Sequence, residues 1–174
     1  MPQDELTERG RALLDLCRRK GLKLAAAESC TGGLLAATLT EIPGSSDVFE
    51  RGFVTYSNEA KEEMLGVAPL ILAMHGAVSR ETAQAMARGA LAHAPVDLAA
   101  AITGIAGPGG AVEGKPVGLV HLAAAARSGR LILEERKYGD IGRARVRRAS
   151  VIDALTMLGE LAASEEVKRV SSQG

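Results

Sequence analysis

The chain has 174 residues, 47% of them hydrophobic and 24% charged, which suits one globular domain with a substantial core and argues against two. Lysine plus arginine and aspartate plus glutamate number 21 each, and aromatic residues make up only 2%. There is thus no basic excess to neutralise a polyphosphate backbone and little to stack on bases, so nucleic acid is not an expected partner. No apolar run approaches the roughly 20 residues that cross a bilayer, so no membrane partner is expected. No secretory core precedes Cys17 and Cys30, which read as thiols of a reduced, cytoplasmic protein.

Residues 1–5 and 163–174 are polar and read as tails around a single domain at 6–162. Leu6, Leu13, Leu16, Cys17 and Lys20 fall at helical spacings with Gly21 as a stop, which predicts a helix over 6–20. A short buried strand is expected over 22–27, although its alanines favour helix over strand. The pattern then breaks into Glu-Ser-Cys-Thr-Gly-Gly, and a helix is predicted from about Thr31 to about Thr40. "RGFVTY" at 51–56 has strand composition, and "SNEAKEEML" follows as a helix with Ser57 or Asn58 as its N-cap. Residues 79–91 read as a helix with a capping-box start at Ser79, one position short of ideal, and with Glu81 as its acid. "VDLAAAITG" is a strand ending near Thr103; "PVGLVHLAAAA" and "RLILEERKY" flank a turn as an antiparallel hairpin; a last helix covers 143–162. Alternating strands and helices with one hairpin imply a three-layer α/β/α domain on a mixed, mostly parallel sheet.

In such a sheet the ligand crevice lies outside the carboxyl ends of the strands, where helix N-termini also point. Ser29, Tyr56 and Thr103 each fall at or just after such an end, and Lys61 lies five residues beyond Tyr56. These types fit amide hydrolysis by a serine whose proton is taken by a neutral, buried lysine, with Tyr56 relaying the proton or orienting a partner. The plainer readings stand beside it. Ser29 can be a cap or turn residue, Cys30 a small core residue or the nucleophile itself, Lys61 a solvated helix charge, and Tyr56 a strand residue with a packed ring. His75, His93 and His121 sit in unrelated segments, so neither a metal cage nor a Ser-His-Asp triad is expected.

The run "TGIAGPGGAVEGKPVG" at 103–118 is a turn-rich loop: either a wide connection to the hairpin or a close backbone approach to a ligand. It matches neither the phosphate-loop nor the dinucleotide fingerprint, so no nucleotide cofactor is indicated. Arg143 and Arg147, four apart at the start of the last helix, are either solvated or suited to a substrate phosphate.

"AESCTGG", "VTYSNEAKEEMLGV", "HGAVSRETAQAMA" and "TGIAGPGG" followed by "KPVGLV", in that order, closely resemble the CinA C-terminal domain family. The resemblance covers about 6–161. It implies an α/β fold like that of anticodon-binding domains. It also implies hydrolysis of nicotinamide mononucleotide to nicotinate mononucleotide and ammonia, in pyridine nucleotide salvage. It carries the nucleophile onto Ser29, the base onto Lys61 and the assisting tyrosine onto Tyr56, and suggests the backbone of Thr31, Gly32 and Gly33 as oxyanion hole. Thr103, Gly104, Arg143 and Arg147 are the expected substrate contacts, with no cofactor and no metal. Longer CinA proteins carry a further N-terminal domain, so a stand-alone form is expected, and assembly into a homo-oligomer stays open. One departure is visible: Ile141 and Gly142 intervene between Gly139-Asp140 and Arg143, where the family has arginine directly after Gly-Asp. The alternative function is a non-catalytic nucleotide-binding protein associated with competence or DNA damage.

Overall fold

The computed structural model describes residues 2–169 and folds them into five strands and six α-helices. In chain order they are α1 (Pro2–Lys20), β1 (Leu24–Glu28), α2 (Leu34–Thr40), β2 (Phe49–Val54), α3 (Asn58–Leu65), α4 (Pro69–His75), α5 (Arg80–His93), β3 (Leu98–Gly104), β4 (Leu119–Ala126), β5 (Leu131–Lys137) and α6 (Arg143–Ser164). The sheet order is β2-β1-β3-β4-β5. β1 pairs in parallel with β2 and β3, and β4 runs antiparallel to both β3 and β5. β4 is therefore the only reversed strand of this sheet, and β1, β2 and β3 open their carboxyl ends on the same side.

Alternation along the strands gives the sheet two unlike faces. Leu24, Leu98, Ile102, Val120 and Leu122 point to one, where α1, α2 and α6 cover them. The other is almost all methyl: Ala27, Ala99, Ala101, Ala123 and Ala125 meet Ala83, Met86, Ala87 and Ala90 of α5. The alanines of β1 are thus not helix formers forced into a strand. Ala27 leaves room for α5 to lie close on the sheet while Ala26 packs into the opposite layer, and close packing outweighs their weak strand preference.

Small residues also set the α3–α5 contact. A Cβ added at Gly89 would lie 2.1 Å from the Leu65 carbonyl oxygen, too near for any side-chain adjustment to relieve. Gly89→Ala is therefore expected to destabilise the protein by about 1–3 kcal/mol. Gly159→Ala on α6, where nothing lies within 4 Å, should be neutral or stabilise by up to about 1 kcal/mol. Urea unfolding of both variants checks this, and equal effects would show that helix propensity, not the close contact, governs position 89.

Several boundaries move from their expected places. α1 begins at Pro2, so 2–5 extend the helix instead of forming a tail. α2 begins at Leu34 because Gly32 and Gly33 take φ values of +57° and +102°, which break the helix before it. β2 ends at Val54 because its partner turns away after Glu28, the residue paired with Val54, so Tyr56 leaves the sheet. α4 has no counterpart in the sequence reading; its run is short, with Pro69 in the first turn and no side-chain cap. The hairpin and the start of α6 at Arg143 fall where expected. At the carboxyl end, Lys168 N–H donates to the Lys20 carbonyl at 2.9 Å and Lys20 Nζ donates to the Glu165 carbonyl at 2.6 Å, so these two residues are tied to the end of α1, and 170–174 of the expected tail lie outside the described residues.

Candidate active site

Ser29 follows the last residue of β1, and its N–H donates to the Ile102 carbonyl of β3 at 2.9 Å. The chain then turns through 30–33 into α2. Gly32 N–H is already given to the Ser29 carbonyl at 3.0 Å, while the N–H groups of Thr31 and Gly33 have no acceptor among the described residues. Of the three residues expected to form an oxyanion hole, two therefore keep a backbone donor. The next donors, Leu35 N–H and Ala36 N–H in the first turn of α2, go to the buried Glu28 carboxylate at 2.8 and 3.1 Å.

Lys61 sits on α3, whose N-cap Ser57 accepts from Ala60 N–H at 3.0 Å. Far from being a solvated helix charge, its side chain is only 1% exposed. Its Nζ lies 3.0 Å from Ser29 Oγ and donates to the Thr55 carbonyl at 2.9 Å and, more loosely, to the Ser57 carbonyl at 3.4 Å. Burial holds the amine below its ordinary value of 10.5. Two carbonyls suit the two protons of a neutral amine, leaving its lone pair for the serine O–H.

The same shift links Lys61 to stability. Between the lowered folded value and the ordinary value of the unfolded chain, the unfolded state binds more protons, so this contribution grows as pH rises and is lost as pH falls through the folded value. Lys61→Met should flatten that rise at pH values below the ordinary lysine value of 10.5. Urea midpoints of the variant and the unmodified protein across the range check it, and parallel curves would mean that Lys61 stays charged when folded.

Cys30, beside Ser29, is buried, and burial pushes its thiol up to about 11, with Arg147 and Arg143 pulling less strongly the other way. It is a thiol at neutral pH, not a nucleophilic thiolate. Ser29, Cys30, Lys61, Tyr56, Thr103 and Arg143 line one cavity of about 240 Å³, together with Gly104 and the glycine-rich loop after it. Thr103 Oγ1 donates to the Ala77 carbonyl at 2.7 Å. Gly104 also has a packing reason to be glycine, since a Cβ there would meet Val120 at 2.6 Å. Two larger grooves, of about 600 and 580 Å³, lie elsewhere and include neither Ser29 nor Lys61. The smaller cavity is the candidate site because it holds the hydroxyl–amine pair.

Tyr56 is 60% exposed, and its hydroxyl accepts from Arg143 at 2.7 Å; Arg143 also donates to the Gly107 carbonyl at 2.9 Å. Arg143 therefore spans the cavity mouth from α6. Arg147 does not line the cavity; it donates to the Thr31 carbonyl at 2.8 Å, and its buried Nε has no partner among the described residues. The two arginines expected on one phosphate thus have different places. The residues that sequence reasoning missed are Glu28 and the carbonyls of Thr55 and Ser57, which no side-chain motif announces.

Residues 7–162 match the family model of the CinA C-terminal domain. A CinA-like protein of Geobacter sulfurreducens is 52% identical over 147 residues, 84% of this chain and 35% of its own length. A CinA-like protein of Syntrophobacter fumaroxidans is 48% identical over 141 residues, 81% of this chain and 33% of its own. The chain spans about a third of the length of these curated relatives. Among solved structures, the competence/damage inducible protein CihA from Agrobacterium tumefaciens superposes with a TM-score of 0.89 at 54% identity, covering 90% of this chain and 95% of that one. The competence damage-inducible protein A (ComA) from Klebsiella pneumoniae gives 0.88 at 35%, covering 92% and 99%.

Proposed function

The chain belongs to the CinA C-terminal domain family, and we propose that it is an amidohydrolase that converts nicotinamide mononucleotide to nicotinate mononucleotide and ammonia by a Ser-Lys mechanism. The observation that carries this reading is the 3.0 Å approach of Ser29 Oγ to the buried Lys61 Nζ inside the cavity. Neutral Lys61 takes the hydroxyl proton as Oγ bonds to the carboxamide carbon. The oxyanion formed is received by Thr31 and Gly33 N–H. Lys61 returns the proton to the amide nitrogen, the C–N bond breaks, ammonia leaves, and an ester remains on Ser29. Water then attacks the ester with Lys61 again as base, which frees the carboxylate and restores the hydroxyl.

Arg143 at the mouth is the phosphate contact in this reading, with Tyr56 held beside it, and Arg147 supports the turn through Thr31. Arg143→Ala should raise KM for the mononucleotide by about 10- to 100-fold, the loss of one charge-assisted pair. The dephosphorylated nucleoside should be little affected. Arg147→Ala should weaken both substrates alike. Steady-state kinetics on the two substrates checks this, and an equal loss on both for Arg143→Ala would remove it from the phosphate.

The names of the similar solved structures speak of competence and damage, and a second reading is a nucleotide-binding protein that serves such a response without turnover. A binding protein has no use for a desolvated lysine on a serine hydroxyl, which supports the enzyme. Release of ammonia from nicotinamide mononucleotide by the purified protein decides between them. Binding without release would leave the second reading.

A further inference from the structure

Gly33, the residue before α2, has no side chain to cap the helix. Yet the N–H groups of Leu35 and Ala36 both find an acceptor in the carboxylate of Glu28, seven and eight residues back and across the turn. Glu28 is 1% exposed and forms no ion pair among the described residues, so its carboxylate is satisfied by these donors and not by a cation. Its backbone is fixed as well: it pairs with Ile102 of β3 and Val54 of β2, and its carbonyl accepts from Thr55 N–H at 2.8 Å.

Glu28 thus ties the end of β1 to the start of α2 and closes the loop 29–33 into a ring. Ser29 is the first residue of that ring, and the Thr31 and Gly33 N–H groups, unclaimed among the described residues, belong to it. The Thr55 carbonyl that holds Lys61 follows directly on the strand to which Glu28 is paired. One residue therefore sets where the hydroxyl stands relative to the amine and to the oxyanion donors. The helix end, meanwhile, is spent on the carboxylate, so the turn alone must receive the oxyanion.

We infer that Glu28 is a positioning residue for acyl transfer at Ser29, a remote cap whose function is to hold the serine hydroxyl on Lys61; this rests on the amidohydrolase reading of the site. A glutamine keeps the volume and one acceptor oxygen but turns an N–H₂ toward the second backbone donor, which loosens the ring without emptying it. A displacement of about 1 Å at a reacting atom costs on the order of 10²-fold in rate.

The test is the rate at which a fluorophosphonate probe labels Ser29, read by intact mass in protein shown to be folded by thermal melting. Glu28→Gln should label about 10- to 100-fold more slowly and Glu28→Ala more slowly still. The pH at which labelling rises should stay unchanged, because Lys61 keeps its burial, and the affinity for nicotinate mononucleotide should stay within twofold. Labelling of folded Glu28→Gln within twofold of the unmodified protein overturns the assignment, as does a shifted pH midpoint, which would make Glu28 act on the protonation of Lys61. Failure of both variants to fold also overturns it, since Glu28 would then be a folding residue. If the unmodified protein labels at Ser29 but releases no ammonia from the mononucleotide, the proposed reaction fails while the role of Glu28 is still measured.

Discussion

Ser29→Ala is expected to lower release of ammonia from nicotinamide mononucleotide by about 10⁴-fold or more, the scale on which removal of a covalent nucleophile acts. Binding should be spared, because the change removes one hydroxyl from a cavity whose other polar groups keep their partners: Arg143 on Tyr56 and Gly107, Thr103 on Ala77. Stability should change little, since Lys61 Nζ retains the carbonyls of Thr55 and Ser57. Cys30→Ala, by contrast, should leave turnover within a few-fold, because the thiol is held protonated at about 11 and is buried. Single-turnover ammonia release, with affinity for the mononucleotide measured on the serine variant, separates the two. Activity lost in Cys30→Ala and kept in Ser29→Ala would move the chemistry to the sulfur.

The Ser29 region shows why part of this site can be read from sequence and part cannot. Two glycines after a small polar run predict a break between strand and helix, and φ values of +57° and +102° at Gly32 and Gly33 are that break. Where α2 begins was not legible, because two left-handed residues delay the helix in a way that composition does not count. Glu28 stands in the sequence only as the acid before Ser29, with no role marked, because its partners are backbone groups on the far side of the turn. A helix that opens on glycine, without a local cap, is the signal that could have directed attention to it.

The same distinction runs through the fold. Apart from α4, the order of strands and helices followed from apolar runs and turn residues, and it yields the three layers. The alanines of β1 were ambiguous because periodicity cannot show which helix lies on a face. Once α5 lies on Ala27, small size is what the position demands. Lys61 was the least legible. Its spacing from Tyr56 placed it near the crevice, but only the N-cap at Ser57 and the carbonyl of Thr55 turn its chain inward. Arg143 and Arg147 look equivalent at four residues apart, yet one reaches over the cavity and the other under the turn.

Lys61→Arg and Lys61→Met should be similarly inactive, each losing about 10²–10⁴-fold, the range of general base catalysis. Arginine preserves a positive charge and much of the reach, but with a pKa above about 12 it cannot take the serine proton. Methionine removes base and charge together while filling most of a site that is 1% exposed. If Lys61 served only to attract an anion, arginine would rescue and methionine would not. The unmodified protein should also gain rate with rising pH through one ionisation below the ordinary 10.5, because burial favours the neutral amine and the neutral form is the one that accepts a proton. Both variants should lose that ionisation from their residual rate. The comparison requires that each still binds nicotinate mononucleotide, since a guanidinium in place of the amine has to fit against the carbonyls of Thr55 and Ser57. Near-normal turnover by Lys61→Arg with binding intact would make Lys61 an electrostatic contact and would end the Ser-Lys mechanism for this cavity.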